Sequence, residues 1–550
     1  MGRRLNRVAA TATYLLIYGT IAFAVVYVPV SFYLILVKRL FGWTTIPDPA
    51  LVLEEIITGQ LFTWWRPDVP RFLLDLTLLL IECVGFLFCI YLYAMIAETL
   101  ESYAESAESK VRELVEYPFA SILIPTRNTS LEVVLETLEG AINQDYPDEH
   151  YEILLIDNGT DKALSSQLKQ ECAARGVKYY FFLNVQGFKA AALNFGLQHA
   201  RGNYVTVLDA DQIPVSNLLR RLIAGFDSPA TAYTVAKVRF RNAKGIISKA
   251  NALIHMQFYE VVEVAKSRRG MTLFAGSTGC FRKDLLMEIG GFQEETLIED
   301  IDTSTVLLHR GYKGKLVNQV GSLGLAPVTC RQQIGQLWRW AHGATAILRY
   351  RSREVIQSKI PLLYRMELIL NVSAFIAGLA TFFFTIGTAV LFVDDSRPFR
   401  PFIGTFPLYL VMPALVILGH LGETFLALLV EENDSPLYKR ILELIPFYLL
   451  SFAVFPFLIS AAFGGFFGRD SLSREDTSWN PETNFGRNAM LVFAAGLFLL
   501  LTGLIAILRL DYGVGLLFMA LGLCYIVPLP LCGLENLPFR RKDREVSMNT

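Results

Sequence analysis

Asn203-Tyr-Val-Thr-Val-Leu-Asp209-Ala210-Asp211 reads as a short apolar strand that runs out into two carboxylates one residue apart. Three runs upstream share its texture. Phe119-Ala-Ser-Ile-Leu-Ile-Pro125 is ended by proline, Tyr151-Glu-Ile-Leu-Leu-Ile-Asp157 opens into Asn-Gly, and Val177-Lys-Tyr-Tyr-Phe-Phe-Leu183 follows. Helix-like stretches at 131–143, 162–174 and 190–200 lie between them. Such alternation predicts a parallel sheet with helices on both faces. Ligands of these sheets bind beyond the carboxyl ends of the strands, so Asp157 and Asp209 are expected to face one crevice. One aspartate at a strand end is more often a turn or cap residue; two at equivalent ends favour a ligand. Asp209 and Asp211 together can hold a hard divalent ion, because magnesium takes one or two carboxylates plus substrate phosphates.

Outward from this region the composition shifts. Of 550 residues 53% are hydrophobic and only 18% charged, and the apolar excess sits in long runs at both ends. The net charge of −1 supplies no basic face, so no nucleic-acid partner is expected. Seven scattered cysteines lack the spacing of a zinc site and fit buried thiols in a reduced compartment.

A helix needs about 20 apolar residues to cross a bilayer. Stretches 13–37, 72–97, 368–393, 402–430, 489–510 and 512–534 qualify. Segment 441–463 also does by length, but it carries Glu443, Pro446 and Pro456 and runs into Gly464 and Gly465. The basic start, with Arg3, Arg4 and Arg7, lacks a signal-peptide cleavage pattern and places the N-terminus in the cytosol. The tail, with Arg540, Arg541, Lys542 and Arg544, asks for the same side, which requires an even number of crossings. Six spans with 441–463 lying in the interface satisfy this. The expected organisation is two transmembrane helices in 1–100, a cytosolic domain in 101–350, and interfacial helices with about four spans in 351–550, with a cytosolic loop near 466–488. Both termini are then cytosolic, in a plasma or inner membrane. Asp75 and Glu82 on one face of the second span, and Glu423 in the fourth, are costly charges that either line a path or pack against another helix.

Seven ordered motifs make the middle region recognisable. They are Asp157-Asn158-Gly159-Thr160, Gly187-Phe188-Lys189-Ala-Ala-Ala-Leu-Asn194, Asp209-Ala210-Asp211, Gly276-Ser277-Thr278-Gly279-Cys280, Gly290-Gly291-Phe292, Ile298-Glu299-Asp300-Ile301-Asp302 and Gln336-Leu337-Trp338-Arg339-Trp340. The set resembles the family 2 inverting glycosyltransferases, over residues 117 to about 350. Its last member is similar to the Gln-x-x-Arg-Trp motif of the processive cellulose, hyaluronan and chitin synthases. The resemblance implies an α/β domain of GT-A type, with a Rossmann-like parallel or mixed sheet, inserted in an α-helical transmembrane bundle. It also implies a hexosyltransferase dependent on Mg2+ or Mn2+. Such an enzyme takes sugar from a UDP-sugar, UDP-glucose by default, and extends a β-linked polysaccharide that leaves through its own bundle. The alternative is a non-processive enzyme making a glycolipid. Partners are the donor, a glycan or lipid acceptor, the bilayer and an accessory export protein. Regulation by cyclic-di-GMP within this chain is not expected.

The same resemblance implies roles for single residues. Asp157 contacts the uracil, Lys189 supports the nucleotide, and Asp209 and Asp211 position the diphosphate and its metal, Asp211 as the direct ligand. Asp300 is the expected general base, since inversion needs one carboxylate to take the acceptor proton while the metal-bound diphosphate leaves. Ile298 stands where the family has threonine, and Thr129 where many members have glutamate. Gln336, Arg339 and Trp340 recur at helical spacing on one face. Arg339 suits diphosphate oxygens, with Gln336 beside it on the donor side, while Trp340 and Glu299 belong to the acceptor side. That helix can also lie on the membrane surface, with Trp338 and Trp340 as interface aromatics. Trp479, Thr483 and Arg487 loosely fit the family's gating loop.

Overall fold

The computed structural model describes residues 3–41, 50, 54, 57–58, 68–105, 114, 116–182, 188–393, 402–403, 406–407, 411–431, 436–468, 481–509 and 511–527. An eight-stranded sheet is built from β1 (Ala120–Thr126), β2 (Tyr151–Asp157), β3 (Lys178–Phe181), β4 (Tyr204–Val207), β5 (Ile213–Pro214), β6 (Thr231–Phe240), β7 (Gly279–Arg282) and β8 (Lys313–Gly324). Its order is β3-β2-β1-β4-β7-β6-β8-β5. The first four strands in that order are parallel throughout, as the alternation predicts. The other half departs from the expected parallel pattern: β7 runs antiparallel to both β4 and β6, and β5 antiparallel to β8. The result is the mixed form of the GT-A type sheet.

Side-chain alternation explains why the central strands read as unbroken apolar runs. Ile122, Ile124, Ile153 and Leu155 enter one core, and Leu123, Leu154 and Ile156 enter the other. A strand covered on both faces has no solvent side to make polar. The helix Leu131–Ile142 buries Val134, Leu138 and Ala141 on the first face, and Phe188–His199 buries Ala192 and Leu193 on the second. Each fully buried leucine contributes about 2 kcal/mol.

Five described helices are long and apolar enough to cross a membrane: Asn6–Leu36, Val69–Glu105, Ala374–Val393, Val411–Val430 and Asn488–Leu508. Two sequence expectations change here, and a third gains detail. The stretch at 368–393 is divided between the helices Leu362–Val372 and Ala374–Val393. The last apolar stretch forms a described helix of only 15 residues, Tyr512–Ile526. The segment assigned to the interface, 441–463, falls across a bent pair of helices, Leu437–Ser451 and Pro456–Phe467, turned by 59°, the form of a broken span or a re-entrant loop. Pro456 has no N–H to continue the helical ladder, which accounts for the bend. The segment also packs inside the bundle. Phe447 and Leu450 join one cluster, Phe457, Leu458 and Ala461 another. A Cβ on Gly465 would lie 2.2 Å from the His342 carbonyl oxygen, so this glycine lets the helix touch the backbone of Cys330–Gln357.

The charges in the second span face the first. Arg39 donates to Asp75 at 2.7 Å with both side chains buried, and the Tyr27 hydroxyl donates to Glu82 at 3.3 Å. Of the two readings of these carboxylates, helix packing is the one observed. Cys83, Cys89, Cys172, Cys280 and Cys524 are free thiols, whereas Cys330 is disulfide-bonded, against the expectation for it.

Candidate active site

The two-carboxylate turn follows β4 directly. Gln212 N donates to the Asp209 carbonyl at 3.1 Å and closes it. Lys189, at the start of the helix Phe188–His199, donates to Asp209 Oδ1 at 2.5 Å and to the Gly276 carbonyl at 2.7 Å. Its ammonium also lies 3.6 Å from Glu299 Oε1. Burial disfavours this charge, but Asp209, Glu299 and Asp300 outweigh burial and hold the Lys189 pKa above the usual range. Gly276 has φ +91°, and a Cβ there would lie 2.9 Å from Asp300 Oδ2 and 3.4 Å from Lys189 Nζ. Only a residue without a side chain lets the chain pass so close to both groups. Four motifs separated along the chain thus converge at the carboxyl ends of the strands.

The helix Glu299–His309 begins with three carboxylates, where its dipole favours negative charge. Successive helical residues point in different directions, and each carboxylate has its own surroundings. Glu299 faces Lys189, on the side where Asp209 also lies. Asp302 is buried and ion-paired with Arg351 at 2.7 Å, and this arginine also bonds Gln293. Asp300 accepts from Ile301 N at 2.8 Å and stands against Gly276. Burial, then the Glu299 charge, pushes the Asp300 carboxyl up to about 7. Ile298, the departure from the family threonine, packs against Ala344 and Ile347. A Cβ on Gly343 would lie 2.6 Å from Ile298, so this position anchors the helix by apolar contact.

Asp211 differs from its neighbours. It is half-buried and makes no hydrogen bond or ion pair to another described residue. Burial and the Asp209 charge push its carboxyl up to about 6. Among the described residues no group of three or more His, Cys, Asp or Glu could hold a metal alone. An unpartnered carboxylate beside a second one nevertheless fits a divalent ion completed by diphosphate and water.

The helix Cys330–Gln357 joins this cleft to the bundle. Trp340 packs beside Ile298 and meets the His255 ring at 5.6 Å. Gln336 accepts from Asn251 Nδ2 at 2.7 Å, a tie to the helix Ile246–Gln257. Arg339 is exposed and has no ion pair among the described residues. Trp338 is not at a lipid surface; it is buried against Phe457 and Leu458, and its Nε1 donates to Ser460 at 3.4 Å.

At the other edge, Asp157 ends β2. Its Oδ1 accepts from Gly159 N at 2.8 Å and its Oδ2 from the Tyr179 hydroxyl at 2.7 Å. The turn role weighed against a ligand role is therefore present. Asn128, at φ +55°, accepts from Thr160 N at 2.8 Å and so ties the loops after β1 and β2 together. Asparagine tolerates this backbone region better than most residues, a signal the sequence carried unread. Trp479 lies outside the described residues, and of Thr483 and Arg487 only the helical backbone of Pro481–Leu508 is described. Residues that sequence reasoning missed are Asn194, whose amide clamps Phe292 on both sides, and Ser277, which accepts from Asp209 N at 2.9 Å. Asn194 explains the second of the paired glycines: a Cβ on Gly291 would meet its Oδ1 at 2.4 Å.

Residues 121–290 match the glycosyl transferase family 2 model. The chain is 26% identical to the cellulose synthase 1 catalytic subunit (UDP-forming) of Komagataeibacter xylinus, over 63% of this chain and 46% of that one. It is 27% identical to glucomannan 4-beta-mannosyltransferase 7 of Arabidopsis thaliana, over 44% and 46%. The chain thus spans less than half the length of these curated relatives. Among solved structures, a mannosyltransferase from Pyrobaculum calidifontis in complex with GDP-Man and Mn2+ aligns with a TM-score of 0.48 at 19% identity, over 70% of this chain and 98% of that one.

Proposed function

We propose that this chain is an inverting, processive hexosyltransferase of the cellulose synthase-like kind, a reading supported by its family 2 glycosyltransferase match, its cellulose synthase relatives and its bundle of apolar helices. The observation that carries the reading is the cleft in which Lys189, Asp209, Asp211, Glu299 and Asp300 meet, beside a helix that touches Ile298 and also packs into the bundle. The donor is a UDP-sugar, with UDP-glucose as the default. Asp157 takes the uracil edge, and Lys189 and Arg339 offer cations to the diphosphate.

A divalent ion, Mg2+ or Mn2+, held by Asp211 and Asp209 would neutralise charge on the leaving diphosphate. Asp300 accepts the proton of the acceptor hydroxyl as its oxygen bonds the anomeric carbon. The bond from that carbon to the diphosphate breaks, and UDP departs. One carboxylate suffices, because the diphosphate needs no acid to leave. Gln336 stands with Arg339 on the donor side, and Trp340 and Glu299 hold the acceptor sugar end under the bundle, through which the β-linked product leaves toward an accessory export protein. Both termini and the catalytic domain are cytosolic in this reading, and the segment that carries Trp479, Thr483 and Arg487 acts as the gate.

Purified full-length chain, incubated with labelled UDP-sugars and analysed by product size and linkage-specific digestion, tests the reading. UDP release with a ladder of long products is expected with one donor. Products carrying a single added sugar would replace the processive reading by glycolipid synthesis.

A further inference from the structure

The turn that carries Asp209 and Asp211 is tied down at Asp209, Ala210 and Gln212, on both sides of Asp211. Ser277 Oγ accepts from Asp209 N at 2.9 Å, and Thr137 Oγ1 donates to the Ala210 carbonyl at 2.9 Å. Ser322 Oγ donates to the Gln212 side-chain oxygen at 2.8 Å. The Thr278 and Ser322 hydroxyls share a bond of 2.6 Å. Ser322 has one proton and gives it to Gln212, so Thr278 must be the donor to Ser322. A directed chain therefore runs from Thr278 through Ser322 to Gln212, one residue from Asp211 and three from Asp209. Thr137, Thr278 and Ser322 are fully buried, and Gln212 nearly so. The Gln212 amide sits where Gly324 lacks a side chain, since a Cβ there would lie 2.3 Å from its Nε2.

Thr278 is held at a cost. Its φ is +59°, a region that β-branched residues avoid because the side chain crowds the backbone. Gly276 and Gly279 flank Ser277 and Thr278, and Gly321 leaves room for the threonine methyl, which a Cβ there would meet at 2.6 Å. Glycine would adopt this backbone freely, yet only a hydroxyl here can start the chain to Gln212.

We propose that Thr278 and Ser322 are positioning residues that aim the Asp209 and Asp211 carboxylates at a divalent ion, acting through Gln212 and never touching the ion. This rests on the metal reading of the pair given above. The test uses full-length protein in detergent and reads Mn2+ binding in the presence of UDP by the Mn2+ paramagnetic resonance signal, beside thermal stability. Thr278→Gly relieves the backbone and removes the hydroxyl, so its melting temperature holds or rises while Mn2+ binding weakens about ten-fold, the worth of one buried hydrogen bond. Ser322→Ala breaks the same chain without touching the strained residue and weakens binding similarly. Thr278→Ser keeps the hydroxyl and returns affinity to within about two-fold. Unchanged binding in both Thr278→Gly and Ser322→Ala overturns the inference. A different failure, no Mn2+ binding to the unaltered chain or none lost in Asp211→Asn, overturns the metal reading and the inference with it.

Discussion

The carboxylates of the second membrane helix and those of the cleft are the same chemical groups put to opposite ends. Asp75 is buried with Arg39 at 2.7 Å, and Glu82 accepts from Tyr27, each finding its partner on the neighbouring helix. Asp211 is half-buried and has no partner among the described residues, and Asp300 bonds only its own helix start while sharing its surroundings with Glu299. A buried charge matched by its neighbour holds helices together. One left unmatched at the mouth of a crevice is kept ready for a ligand.

The sharpest way to break this contrast is Asp300→Asn. Loss of a general base should lower kcat about 10³-fold while UDP affinity is kept. Single-turnover sugar transfer and UDP binding together check it; full activity would remove Asp300 from the base role. Next comes Arg39→Met, which strands the Asp75 charge and should destabilise the bundle by about 3–5 kcal/mol. Melting in detergent measures it. The double replacement Arg39→Met with Asp75→Leu should recover most of the loss, and failure to recover would mean that the pair does more than join helices. The smallest effect is that of pH. Asp300 must be ionised to accept a proton, and its carboxyl is raised to about 7. Between pH 8 and 7 kcat/KM should change little. Below about pH 7 it should fall by about ten-fold per unit, because the ionised fraction does so. A profile flat to pH 5 would place the base elsewhere.

Legibility in the sequence followed the range of the interaction. β1, β2 and the three helices after the first strands could be placed within a residue or two, because burial on both faces or on one helical stripe is written in neighbouring positions. The antiparallel strands were not legible: β7 is four residues long, and its insertion between β4 and β6 depends on pairings far along the chain. The 441–463 segment was assigned by counting charges, whereas Gly465 and the apolar face at Phe457 and Leu458 bring it into the bundle. Nothing local to Trp338 distinguishes a lipid-facing indole from one buried against Ser460.

By itself, then, the order of residues determined that a strand-and-helix domain lies between apolar ends, and which aspartates leave its strands. Periodicities of two and about 3.6 residues carry that information locally. The partners of those aspartates were decided only by tertiary structure. Lys189 reaches Asp209 because Gly276 lets the chain pass beside it, Asp302 is removed from the cleft by Arg351, and Asp211 is left alone. Those choices are made where water is excluded and charges interact strongly, between residues that folding alone brings within a few ångströms.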